Sequence, residues 1–134
     1  MARVERLGPL FEREGVRLAY LHGSLAREGS GHDVDLAVLA GDADLGCLRQ
    51  RISDALETDR LDLTDLGRAS PLFRFEVLKT GRLLYRQDAD TENTFETMVL
   101  RQYRDTAPLR AQQAGILRER TQAWLLRRKQ YSTD

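Results

Sequence analysis

Apolar residues along this chain switch between strand-like alternation and helix-like spacing, and the switches predict its elements. Gly8-Pro9 followed by LFERE reads as a short helix opening at proline, where a missing N–H is no loss, and ending at Gly15. Val16 to Leu21 (VRLAYL) is rich in apolar and aromatic residues and predicts a strand. HGSLAREGSGH follows, and its three glycines and two serines predict a loop with room for one helical turn. Asp33 to Leu39 (DVDLAVL) alternates and then turns fully apolar, as a buried strand does. After Gly41-Asp42, Leu45, Leu48, Ile52 and Leu56 form one stripe of a helix over about Leu45 to Glu57. Arg60 to Leu66 (RLDLTDL) alternates again and predicts a third strand. Ser70 is the expected N-cap of a helix with Pro71 in its first turn and Gly81 at its end, and Arg82 to Tyr85 predicts a fourth strand. From about Asp90 the pattern is helical throughout, with a break at Pro108.

The order α-β-loop-β-α-β-α-β-α-α predicts an α/β or α+β domain with a C-terminal helical extension. At 134 residues the length suits one domain over 1–134, with an α/β core over about 1–88 and helices over about 90–130. Lys and Arg tie with Asp and Glu at 21 each, so no overall charge draws the molecule to nucleic acid. The charge is unevenly spread. From Arg110 to Lys129 there are six basic residues and one acidic, Glu119. That helix reads either as a solvated face or as a docking face for an acidic partner or RNA, and its apolar residues favour docking. A single cysteine, Cys47, excludes an intramolecular disulfide and suits a reducing compartment. The apolar run LAVLA is far too short to span a bilayer, and MARVERLGPLFERE lacks a signal-peptide core, so a cytoplasmic protein is expected.

Three features carry chemistry. Gly23-Ser24 follows a strand directly, where backbone N–H groups and a hydroxyl can face an anion such as phosphate; alone, the pair is also ordinary turn chemistry and recurs at Gly29-Ser30. Asp33 and Asp35 are spaced by two, which on a strand puts both carboxylates on one face, about 7 Å apart. Like charges held so need a cation, and a hard divalent ion with oxygen ligands fits. Asp42/Asp44 and Asp88/Asp90 share the spacing but precede helices, where aspartate is expected for capping. Asp62 alternates with Leu61 and Leu63 in the third strand. It reads as a third carboxylate that completes a two-metal site or takes a proton from an attacking hydroxyl, or else as an edge residue facing solvent. Asp65 has the opposite parity and is expected to cap or turn the chain.

Strand, Gly23-Ser24, Ala26-Arg27, Asp33-Val34-Asp35 with LAVLA, and the later Asp62 in RLDL together resemble the DNA polymerase beta nucleotidyltransferase superfamily. The chain is most similar to its minimal nucleotidyltransferases. DLTDLGRASPLFRFEVLKTGRLLYRQD is similar to the MntA family, the adenylyltransferase antitoxins of type VII HEPN/MNT toxin–antitoxin systems. The resemblance covers roughly residues 10–130. It implies a polymerase beta-like fold, a small mixed sheet flanked by helices. It implies that Gly23 and Ser24 hold the β- and γ-phosphates of ATP, with Arg27 touching the triphosphate or staying a solvated loop residue. It implies that Asp33 and Asp35 coordinate two Mg²⁺ ions, and that Asp62 shares one metal and assists deprotonation of the acceptor. The implied acceptor is a tyrosine of a HEPN-family toxin, HepT, held in a hetero-oligomer and silenced by AMP.

This sequence departs from the family pattern in two ways. Eight residues, Leu25 to His32, separate Gly-Ser from Asp-x-Asp where ten are usual. His22 stands where an aromatic or apolar residue is common and His32 where serine is common; both read as polar loop residues, with contact to phosphate or acceptor as the alternative. Two competing functions remain. A non-catalytic antitoxin would neutralise its toxin by binding alone and would have no use for three converging carboxylates. A small-molecule nucleotidyltransferase, or one acting on RNA, usually carries a further substrate domain.

Overall fold

The structure is a computed structural model that describes residues 2–23 and 33–131. Four strands, β1 (Leu18–His22), β2 (Val34–Leu39), β3 (Leu61–Asp65) and β4 (Arg82–Arg86), form one mixed sheet in the order β3-β2-β1-β4. β1 pairs antiparallel with both β2 and β4, while β2 and β3 run parallel through a helical crossover. The helices are α1 (Ala2–Glu5), α2 (Gly8–Glu14), α3 (Leu45–Leu56), α4 (Pro71–Thr80), α5 (Ala89–Asp105) and α6 (Ala107–Tyr131). This is the α/β domain with a C-terminal helical extension that the sequence pattern predicts, and the small mixed sheet flanked by helices that the family resemblance implies.

Strand parity decides which residues fill each side. On one face Leu21, Leu36, Val38 and Leu61 pack with Leu10 and Phe11 of α2 and with Leu48, Ile52 and Leu56 of α3. On the other, Leu18, Tyr20 and Ala37 pack with Val77 of α4 and with Phe95 and Val99 of α5. Both faces of the central strands are therefore dry, which explains the apolar run in LAVLA. β4 carries a bulge opposite Ala19 and Tyr20, so the consecutive residues Leu84 and Tyr85 both turn to the α2 side. There Tyr85 meets Phe11, ring centroids 5.7 Å apart.

Local signals set the helix ends. Ser70 accepts a hydrogen bond from the Phe73 N–H at 3.1 Å and opens α4. Asp44 and Asp88 cap α3 and α5 in the same way, through the N–H groups of Cys47 and Thr91. Gly81 follows α4 at an ordinary negative φ of −85°, and glycine is needed there for space: a Cβ would lie 2.5 Å from the Val77 carbonyl oxygen. Asp65 turns the chain, accepting from the Gly67 N–H at 2.9 Å. The Arg74 guanidinium then fastens that turn, donating to the carbonyls of Leu66 and Gly67 and to Gln102 of α5.

Several boundaries shift from the expected ones. β1 starts two residues later than expected and includes His22, because pairing with β2 runs that far. β2 begins at Val34, leaving Asp33 just outside it. α1 is an additional helix whose Val4 is buried in the α2–α3 core; one turn is too short to leave a periodic signature. The last two helices meet at Thr106, with Pro108 inside the first turn of α6, where proline is tolerated. α6 meets α5 near its start, where Arg110 stacks on Tyr103 at 3.8 Å. Among the described residues no helix is long and apolar enough to cross a membrane.

Replacing Ser70 with alanine leaves the Phe73 N–H without its cap and should cost about 1 kcal/mol in chemical unfolding, with an unchanged denaturant slope. The capping aspartates give a pH signature. The Cys47 N–H holds Asp44, and the Thr91 hydroxyl and N–H hold Asp88, below the usual carboxylate range. Depressed folded values mean that these caps stabilise above the unfolded-state value near 4 and lose that effect as pH falls through the lower folded value. The melting temperature of Asp88→Ala should therefore fall less steeply than that of wild type between about pH 5 and pH 2.

Candidate active site

Three polar side chains line up across the sheet. β1 and β2 pair His22 with Asp35, and β2 and β3 pair Asp35 with Asp62. Residues paired in register share a face, so His22, Asp35 and Asp62 form a row across three strands, each about 4.8 Å from the next. The parallel neighbouring row on that face, Tyr20, Ala37 and Thr64, leads under α4 and α5, where Tyr20 and Ala37 are buried. The helical cover thus thins at the polar row, where α4 still reaches His22 through Phe73. Asp35 is half-buried and Asp62 exposed.

Gly23 adjoins the row and is shaped by it. Its φ is +76°, in the left-handed region that glycine adopts without penalty. A Cβ at this position would fall on the Asp35 carboxylate, overlapping Oδ2 and lying 3.1 Å from Cγ. Glycine therefore serves here both for its backbone angle and because the Asp35 carboxylate occupies the space a side chain would fill.

Of the residues singled out in the sequence, Gly23, Asp35 and Asp62 come together at this end of the sheet. Asp33 lies at the bend one residue before β2, exposed, so strand periodicity does not orient its carboxylate. Ser24, Arg27 and His32 lie outside the described residues. Among the described residues no three His, Cys, Asp or Glu side chains form a ready-made metal cage. The donors at hand are nonetheless hard carboxylate oxygens on adjacent strands beside a glycine that admits close approach. This set fits Mg²⁺, which takes one or two carboxylates and completes its shell with water and substrate phosphates.

His22 is the residue whose placement sequence reasoning missed. It is not in the loop but closes β1, and its ring meets Phe73 of α4 edge-on, centroids 5.6 Å apart at 90°. The signal was parity, since Leu18, Tyr20 and His22 alternate onto one face. Beneath it, the Tyr20 hydroxyl donates to Glu96 of α5 at 3.2 Å, and burial, then the Glu96 charge, push that phenol well above its ordinary range. A hollow lined by Arg49, Ser53, Thr58 and Arg60 opens on the α3 side and shares no residue with the row.

The polymerase beta nucleotidyltransferase family model matches residues 5–90, which hold the whole sheet and the row. The chain belongs to that family. Its likeness extends to solved toxin–antitoxin structures. This nucleotidyltransferase is 26% identical to a chain of a toxin–antitoxin crystal structure with AMP-PNP, covering 90% of this chain and 99% of that one at a TM-score of 0.68. It is 25% identical, over 90% of this chain and 97% of that one at a TM-score of 0.65, to a chain in a structure of a tri-AMPylated Shewanella oneidensis HEPN toxin with its MNT antitoxin. It is 27% identical to a chain of the toxin–antitoxin MntA–HepT, covering 90% and 99% at a TM-score of 0.63. No curated protein sequence matches the chain significantly.

The Gly23–Asp35 contact can be tested in the nucleotidyltransferase directly. Gly23→Ala should destabilise by about 1–2 kcal/mol from the left-handed φ, with a further cost from displacing the carboxylate. Asp35→Ala in the same chain should relieve that further part, so in a double-mutant cycle read by chemical unfolding the double variant should be destabilised by less than the sum of the two single changes. Strict additivity would mean that the two groups do not touch.

Proposed function

We propose that this protein is an antitoxin adenylyltransferase that moves AMP from ATP to a tyrosine hydroxyl of a HEPN-family RNase toxin, with Mg²⁺, and thereby silences it. The observation that carries the reading is the pairing of Asp35 with Asp62 beside Gly23, in a member of a nucleotide-transferring family. The likeness to an MNT antitoxin solved with its tri-AMPylated HEPN toxin supports the choice of acceptor.

In this reading Gly23 and Ser24 hold the β- and γ-phosphates and Arg27 touches the triphosphate. Asp33, Asp35 and Asp62 hold the metal, and Asp62 also draws the proton from the acceptor hydroxyl. The hydroxyl oxygen attacks the α-phosphorus in line, a new P–O bond forms, and pyrophosphate leaves with the electron pair of the broken one. When bound, Mg²⁺ supplies positive charge against the phosphate oxygens and the developing charge on the leaving group. The rigid sheet serves this chemistry by keeping Asp35 and Asp62 in one register as the substrate comes and goes.

The partner docks on the helical extension. α6 is 25 residues long, about 37 Å, and leaves Leu109, Ile116, Leu117 and Trp124 exposed. A helix of that length with so little cover gains stability chiefly from packing against something else. Arg110, Arg118, Arg120, Arg127 and Arg128 give the helix a positive charge, with Arg128 placed 5.1 Å over Trp124. Such a surface suits an acidic protein face. The same docking would serve an antitoxin that acts by occlusion, which has no role for the carboxylate row.

The deciding measurement is the intact mass of a cognate HEPN-family toxin after incubation with this chain, ATP and Mg²⁺. Gains in whole AMP units are expected. Asp35→Ala should lower the transfer rate by about a hundredfold or more while complex formation persists on size exclusion. A stable complex of unchanged mass would replace transfer with occlusion.

A further inference from the structure

His22 is held in a way that packing alone does not explain. Its ring stands edge-on to Phe73, a contact that a phenylalanine at this position would make equally well. Its Nε2 is buried and has no hydrogen-bond partner among the described residues. A buried polar nitrogen left unpaired costs free energy, so its presence points to a partner that arrives with a ligand. The Asp35 carboxylate, directly opposite in the strand pair, turns to Gly23 rather than to the ring. Nε2 is therefore left without a hydrogen-bond partner among the described residues, on a side chain that shares its face with Asp35 and Asp62 and directly precedes Gly23.

The chemistry of that position selects an anion. The ring can donate one N–H in the Nε2–H tautomer or as imidazolium, so the contact does not depend on its protonation state. Phe73 fixes the ring plane from the first turn of α4, whose register is in turn set by the Ser70 cap. We propose that His22 is a substrate-contacting residue of the nucleotide site, donating Nε2–H to a phosphate oxygen of the bound nucleoside triphosphate. The assignment rests on the nucleotide-transfer reading above and adds a donor to the shortened loop between Ser24 and Asp33. With two fewer loop residues than the family pattern to wrap the triphosphate, a donor on the strand itself supplies a contact that needs no loop.

The test uses the full chain and calorimetric titration with two probes, a non-hydrolysable ATP analogue and inorganic tripolyphosphate, each with Mg²⁺. His22→Phe keeps the ring against Phe73 and removes the donor. It should bind both probes about tenfold or more weakly, the expected loss for a hydrogen bond to a charged group, with no fall in melting temperature. His22→Gln, whose side-chain amide offers an N–H at a similar reach, should recover most of the affinity. Wild-type affinity for both probes in His22→Phe would overturn the proposal and leave His22 a packing residue. A loss confined to the ATP analogue would also overturn it, because the contact would then be to the nucleoside. If wild type binds neither probe, the nucleotide reading itself fails and the proposal with it.

Discussion

The register between β1 and β2 is the constraint on which the rest of the molecule depends. It places His22 opposite Asp35, brings the Gly23 backbone against the Asp35 carboxylate, and through β3 adds Asp62 to the row. A slip of one residue would turn every side chain to the opposite face and bury the carboxylates. Two cores resist that slip at once. Leu21 and Leu36 are locked among α2 and α3, while Leu18, Tyr20 and Ala37 are locked beneath α4 and α5.

The helices divide the remaining work. α4 and α5 cover Tyr20, and in the next row α4 reaches His22 through Phe73 while Asp35 stays half-buried and Asp62 exposed. The turn between β3 and α4 is held by Arg74, whose three hydrogen bonds connect Leu66, Gly67 and Gln102. This clamp matters to the site, because α4 also brings Phe73 to His22. α6 contributes to neither core and leaves its own apolar residues in solvent. The fold thus separates the end of the sheet that carries Asp35 and Asp62 from a helical surface with exposed apolar residues.

Much of this was legible in the chain because the signals are local. Period-two alternation in DVDLAVL and RLDLTDL, the stripe Leu48, Ile52 and Leu56, and the caps at Asp44, Ser70 and Asp88 each involve neighbours within a turn or two. The Gly-Ser and Asp-x-Asp spacing pointed to phosphate and metal chemistry from near neighbours too, although of the two aspartates only Asp35 lies in β2 and Asp33 precedes it. The helix at Ala2–Glu5 was not legible, because a single turn is stabilised by the core it caps rather than by its own pattern.

What the sequence determined by itself was the set of elements, their amphipathic faces and the residue types able to bind phosphate and a hard cation. Only the tertiary structure decided which strands are neighbours. That choice put Asp62 beside Asp35 and drew His22 out of the expected loop into β1. It also carried Phe73 to the imidazole, across 51 residues of chain. The physical reason is that strand pairing is a long-range contest settled by burying two faces at once, and no local stretch of residues carries that information.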